Sequence, residues 1–185
     1  MERTHPAMTV SHGDLAAEVD IELAPLILET WRAGIATIHS CQDMGENVAD
    51  LAARLPHLDD FVRRESGRAN IGFAGSGSLE AFLDALANAG PRDAFYERMV
   101  HWAAPGAWQL VVAVRDQGLR ADEEEIGGPA PDGTPLSRLE AVSFQVRFPR
   151  ADVDEMTERM RRRNRGEVVA LGRPTWATIS HAEDG

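Results

Sequence analysis

The chain has no lysine: all nineteen of its basic residues are arginine. Neither a lysine Schiff base nor the phosphate-binding lysine of a P-loop can therefore exist here. It has one cysteine, Cys41, so no internal disulfide closes a loop, and a reducing cytoplasm is the expected compartment. Long apolar runs are missing too. The longest candidate, Leu23–Leu28, is six residues and contains Pro25, against the ~18–20 residues that a spanning helix needs. The first residues, Met1 to Pro6, lack the basic-then-apolar form of a secretory signal. Positive charge is scarce: thirty acids against nineteen bases leave a formal net charge of −11. That balance disfavours non-specific binding to nucleic acid or to an anionic membrane.

What is present is globular. A length of 185 residues, 43% hydrophobic and 26% charged, suits one domain with a sizeable core. Residues 1–13 read as a flexible leader and 14–185 as a single domain, with an extended segment from Asp14 to Val19. Leu23, Leu26, Ile27, Thr30 and Trp31 form a helical stripe that Gly34 stops. Ile35–Ser40 reads as a buried strand. Asn47 is placed to cap a helix carrying Val48, Leu51 and Leu55, which Pro56 breaks before a second short helix. Ala69, Ile71 and Phe73 alternate as a strand, and Ser78 caps a helix with Leu79, Phe82, Leu83 and Leu86 inward. Phe95, Met99 and Trp102 suggest a further helix.

Residues 108–115 and Val142–Phe148 alternate as strands. Between them, Gln117 to Arg138 is acidic and rich in glycine and proline, and is expected to be a mobile excursion (117–138). Asp152 and Glu155 open a helix with Val153, Met156 and Met160 inward, in the manner of a capping box. Arg159, Arg161, Arg162, Arg163 and Arg165 complement its dipole at the other end. Short strands at Val168–Leu171 and Thr175–Ile179 complete the order. The fold class is α/β (or α+β): one domain, a mixed sheet with helices packed on it. Helical segments link the strand at 35–40 to that at 69–74, so the two are expected to be parallel neighbours. The loops at Cys41 and Gly75 would then share the carboxyl edge where such sheets place ligands.

The most unusual string is His39-Ser40-Cys41-Gln42-Asp43 at a strand exit. His39 and Cys41, two apart on a strand, share a face. A thiol beside an imidazole is the composition of a nucleophile and its base. The pair also offers two zinc ligands, with His12, His101, Asp43 or Glu46 as completions. No second cysteine or close histidine completes a recognised spacing, so no metal site is assigned. Gly75-Ser76-Gly77-Ser78 follows a strand and opens a helix, a place where free amides suit an anion; Glu80 stands where a third glycine would complete the dinucleotide fingerprint.

The string Val19-Asp20, Pro25-Leu26-Ile27, Trp31, Gly34-Ile35, Thr37 and Ser40-Cys41-Gln42-Asp43, followed by Ile71-Gly72-Phe73 and a helix with Phe82-Leu83, resembles a group of small uncharacterised α/β proteins of high-GC bacteria and their phages. The resemblance covers somewhat over a third of the chain and implies no particular activity. A fainter similarity is to the tRNA wybutosine-synthesising methyltransferase family, whose Ser-Ser-Cys-Ser-Gly-Arg motif is matched only around Cys41. The Gly-Arg pair is absent here, and with it the basis for an S-adenosylmethionine or tRNA role.

Together these features point to a soluble binding module for a small molecule or protein partner. Its site would be the Cys41–Asp43 loop, with Ser40, Gln42, Asp43, Gly75, Ser76, Gly77 and Ser78 as binding residues. One alternative is a thiol-dependent enzyme using Cys41 with His39. Another is a non-catalytic interaction protein with an acidic surface. The sequence identifies no cofactor.

Overall fold

The structure is a computed structural model that describes residues 5–101, 103–114 and 142–167. The expected excursion at 117–138, the strands expected near the C-terminus, Trp102 and Trp176 lie outside the described residues. Within them, two strands and a helix come first: β1 (Ala7–His12), β2 (Leu15–Asp20) and α1 (Ala24–Arg32). Then follow β3 (His39–Cys41), α2 (Met44–Ala52), a 3-10 turn at 56–58, α3 (Asp59–Glu65), β4 (Arg68–Phe73), α4 (Ser76–Asn88), α5 (Ala94–Val100), β5 (Gln109–Val114), β6 (Val142–Pro149) and α6 (Val153–Asn164). No described helix is long and apolar enough to cross a membrane.

The expected class, helices packed on a sheet in one domain, is what the chain forms. The apolar stripe of α1, the alternation of β4 and β6, and the Val153–Met156–Met160 face of α6 all meet in one core. In that core Phe73 lies against Phe82, and Trp108 between Phe95 and Phe148. Burying each such side chain stabilises the fold by about 1.5–3 kcal/mol.

Several expectations are corrected. Residues 7–12, read as leader, are β1, which pairs antiparallel with β2 through a two-residue turn at Gly13 and Asp14. Val10 and Val19 carry this hairpin into the core. The strand expected at 35–40 is shorter and later. Ile35 fills the core under α1, Thr37 accepts the Trp31 indole hydrogen at 3.0 Å, and Ile38 is 52% exposed, so only His39–Cys41 is strand. Asp43, not Asn47, caps α2. α4 begins two residues before Ser78, with Gly75 at its N-cap. Asp152 stands at the start of α6 but caps nothing: its carboxylate takes hydrogen bonds from Arg98 and from the Trp108 indole at 2.9 Å. Arg159 departs from its basic neighbours: it is fully buried, bonded to Glu155, Asp93 and two backbone carbonyls, with its guanidinium 4.4 Å above the Phe95 ring.

The largest correction concerns direction. The four-stranded sheet runs β3-β4-β6-β5, and every pairing is antiparallel, so among the described residues the expected mixed sheet has no parallel pair. A crossover with one helix reverses the chain once more and delivers a parallel neighbour. Between β3 and β4 there are two helices, α2 and α3, packed on each other. The additional reversal brings β4 back antiparallel.

Candidate functional site

Antiparallel pairing separates the two loops that were expected to share an edge. Cys41 lies opposite Asn70, toward the start of β4, whereas Gly75–Ser78 follows its far end. At ~3.3 Å per strand residue, they stand roughly 15 Å apart. Ser76 and Gly77 are exposed, and no side chain caps α4. The structure does not bring this loop to Cys41.

Around Cys41 the polar groups are largely spent within the chain. Asp43 is buried; its Oδ1 accepts the Glu46 amide hydrogen at 3.0 Å and its Oδ2 that of Gly67 at 2.7 Å. It therefore ties the start of α2 to the start of β4. Gln42 is also buried: its amide donates to Asp20 Oδ2 at 2.9 Å, and its Oε1 accepts from the Glu22 amide at 3.3 Å. Ser40 is half-buried and pairs with Ile71, which points into the core. His39 is exposed and stands opposite Gly72, where a Cβ would overlap its ring. A side chain at position 72 would displace the exposed His39 ring from this place.

Cys41 is half-buried, and its Sγ donates to the Asp43 carbonyl at 3.3 Å. Burial, reinforced by the carboxylates of Asp20, Asp43 and Glu46, pushes the thiol up from 9.0 to about 11; hydrogen bonding at the Asp43 backbone pulls the other way. At neutral pH that leaves roughly one molecule in 10⁴ as thiolate. Nucleophilic cysteines sit in electropositive surroundings, and these are acidic, so the geometry gives no support to a Cys41–His39 catalytic pair.

Sequence reasoning missed a second feature. Directly opposed residues in an antiparallel sheet point to the same face. The register therefore sets Cys41, Asn70, Arg147 and Gln109 in one row across four strands, with His39, Gly72, Gln145 and Val111 in the next. Arg68 extends this face, and Glu65 reaches it from α3, 3.4 Å from Arg147. Among the described residues, five buried atoms of this group find no hydrogen-bond partner: Glu65 Oε2, Arg68 Nε, Asn70 Oδ1, Gln145 Oε1 and Arg147 Nε. Polar alternation along β4 and β6 was the available signal, but periodicity alone reads such residues as solvent-facing. At the β5 end lies a cavity of about 520 Å³, within the usual range for small-molecule pockets. Arg68 and Gln109 line it beside the apolar wall of Trp108, Leu110 and Val112.

Among the described residues, one group of side chains has the composition of a metal site: His5, Asp20 and Cys41, with one ligand-type atom from each lying within 4.8 Å of the others. Of the completions considered from sequence, His101 pairs instead with Glu97, and His12 ends β1. Compared with protein-family models, curated proteins and solved structures, the chain has no match.

Proposed function

We propose that the chain is a non-catalytic, cytoplasmic binding module for a small organic ligand with an apolar body and an anionic, acceptor-bearing head. The site lies not at the Cys41 junction but at the β5 end of the sheet, where Arg68 and Gln109 from one face meet Leu110 and Val112 from the other. One observation carries this reading: Arg68, one of five described residues with an unpartnered buried polar atom, lines a cavity of about 520 Å³ with an apolar wall. Each unsatisfied buried group costs about 1–3 kcal/mol, and an anion bound at Arg68 offsets part of that cost where the cavity reaches it. Arg68 lines the cavity, its Nη2 anchored to the Ala107 and Arg147 carbonyls at 3.0 and 3.3 Å and its buried Nε without a partner among the described residues. A guanidinium held in this way suits a carboxylate or phosphate. Leu110 and Val112, each about half exposed on the cavity wall, suit the apolar body.

Thermal-shift screening of the intact chain against small carboxylic and phosphorylated compounds tests the proposal. A specific ligand at ~100 times its Kd adds about 2.7 kcal/mol of apparent stability. The shift should disappear in Leu110→Asp, which sets a carboxylate in the wall at a surface position. A shift that survives Leu110→Asp, or a panel in which nothing binds, would refute the assignment.

A further inference from the structure

We propose that His5, Asp20 and Cys41 bind one divalent transition-metal ion of the zinc class where the β1–β2 hairpin meets the end of β3. The three residues come from the start of the chain, the end of β2 and the end of β3, and they supply an imidazole nitrogen, a carboxylate oxygen and a sulfur. The ligand atoms all lie within 4.8 Å of one another. In a tetrahedral zinc site with bonds of ~2.0–2.3 Å, ligand atoms are separated by roughly 3.3–3.8 Å. Closing the set needs side-chain adjustments on the order of 1 Å, not movement of the backbone.

The surroundings of each ligand support the assignment independently of that count. His5 is buried with 5% of its side chain exposed; its Nε2 lies 3.1 Å from the Asp43 carbonyl and its Nδ1 3.5 Å from the Glu46 carboxylate. A carboxylate beside one ring nitrogen fixes the tautomer and orientation of a ligating imidazole. On binding, Nε2 gives up the hydrogen it shares with the Asp43 carbonyl and takes the metal, while the neutral ring carries its one hydrogen on Nδ1, toward Glu46. Asp20 is held by the Gln42 amide at 2.9 Å, so its carboxylate is already fixed in place. Cys41 Sγ also points at the Asp43 carbonyl, 3.3 Å away. Sulfur and imidazole nitrogen therefore both lie against the same Asp43 carbonyl oxygen. Binding replaces the thiol proton, which leaves to solvent, and a doubly charged cation answers the acidic group of Asp20, Asp43 and Glu46. Arg150, 3.8 Å from Asp43 and 3.6 Å from Glu46, offsets only part of that charge. A thiolate among the ligands selects zinc-like ions over magnesium or calcium. Three protein ligands leave a fourth position for solvent or an exogenous group.

Titration of the tag-free, chelator-stripped chain with cobalt(II), followed by displacement with zinc, tests the site. The expected result is a thiolate-to-cobalt charge-transfer band in the near ultraviolet that saturates at one equivalent and is abolished by zinc. Cys41→Ser should lose the band. His5→Gln and Asp20→Asn should keep the fold, checked by circular dichroism, and bind at least tenfold more weakly. Glu46→Gln should keep the band with affinity lowered about 10- to 100-fold. Absence of the band in the unaltered chain overturns the proposal. So does a band of unchanged affinity in both His5→Gln and Asp20→Asn, because the thiol would then be binding cobalt alone.

Discussion

Raising the pH from 8 to 11 should destabilise this protein through one side chain. Cys41 holds its proton in the folded chain up to about 11, against an ordinary 9.0. As pH rises past 9, the unfolded chain loses that proton first, so the folded state binds more protons and stability falls with pH. Each tenfold difference in proton affinity between the two states is worth about 1.4 kcal/mol. Discounted for the solvent that still reaches this half-buried thiol, the expected loss is about 1–2 kcal/mol between pH 9 and 11. The composition keeps other groups out of the way. With no lysine, no side-chain ammonium group titrates in that window. Urea unfolding of the chain and of Cys41→Ser, in chelator at half-unit pH steps, isolates the thiol, since every other group is common to both. The difference in stability should be constant below pH 8.5 and then move steadily against the unaltered chain. A difference that stays flat to pH 11, or moves the other way, would refute the account of a buried thiol among acids.

Four further outcomes follow from the same geometry. Iodoacetamide should alkylate Cys41 at neutral pH at roughly a hundredth of the rate of an unperturbed thiol, whereas a rate above that of free cysteine would restore the nucleophile reading. Asn70→Val should stabilise the chain by about 1–2 kcal/mol in urea, because it removes an orphaned buried acceptor and favours the strand; a loss of more than ~1 kcal/mol would show that Oδ1 has a partner. Arg159→Ala should cost about 3–5 kcal/mol by stripping a buried guanidinium from Asp93 and Glu155; a cost below ~1 kcal/mol would contradict its burial. Gly45→Ala should cost about 1–3 kcal/mol, since its Cβ would sit 2.6 Å from the Ser66 backbone nitrogen, and a thermal midpoint equal to that of the unaltered chain would count against that packing.

Much of the fold is legible along the chain, because spacing reports which side of an element is apolar. Leu23, Leu26, Ile27 and Trp31 mark α1; Ile71 and Phe73 mark β4, and Val146 and Phe148 mark β6; all are buried. Cap positions are harder to read. Asp43 and Asn47 are both competent caps, and the choice went to Asp43, whose second carboxylate oxygen also reaches the Gly67 amide, 24 residues away. The Cys41 neighbourhood stood out along the chain by its residue types, but the hydrogen bonding of those residues was not legible there. Gln42 and Asp43 have the side chains of a binding loop, yet their partners on β2, α2 and the turn before β4 consume them.

The amino-acid order on its own settled the α and β content, the apolar faces, the absence of lysine chemistry and the presence of a single thiol. Folding decided which strands became neighbours, in which direction, and what surrounds that thiol. The division has a physical cause. Periodicity is a local property, set by the 3.6- and 2-residue repeats of helix and strand. Pairing direction depends on how many reversals intervene, and two helices rather than one between β3 and β4 inverted it. The unpartnered polar atoms, and the meeting of His5, Asp20 and Cys41, depend on burial among residues far apart in the chain, for which no local pattern exists.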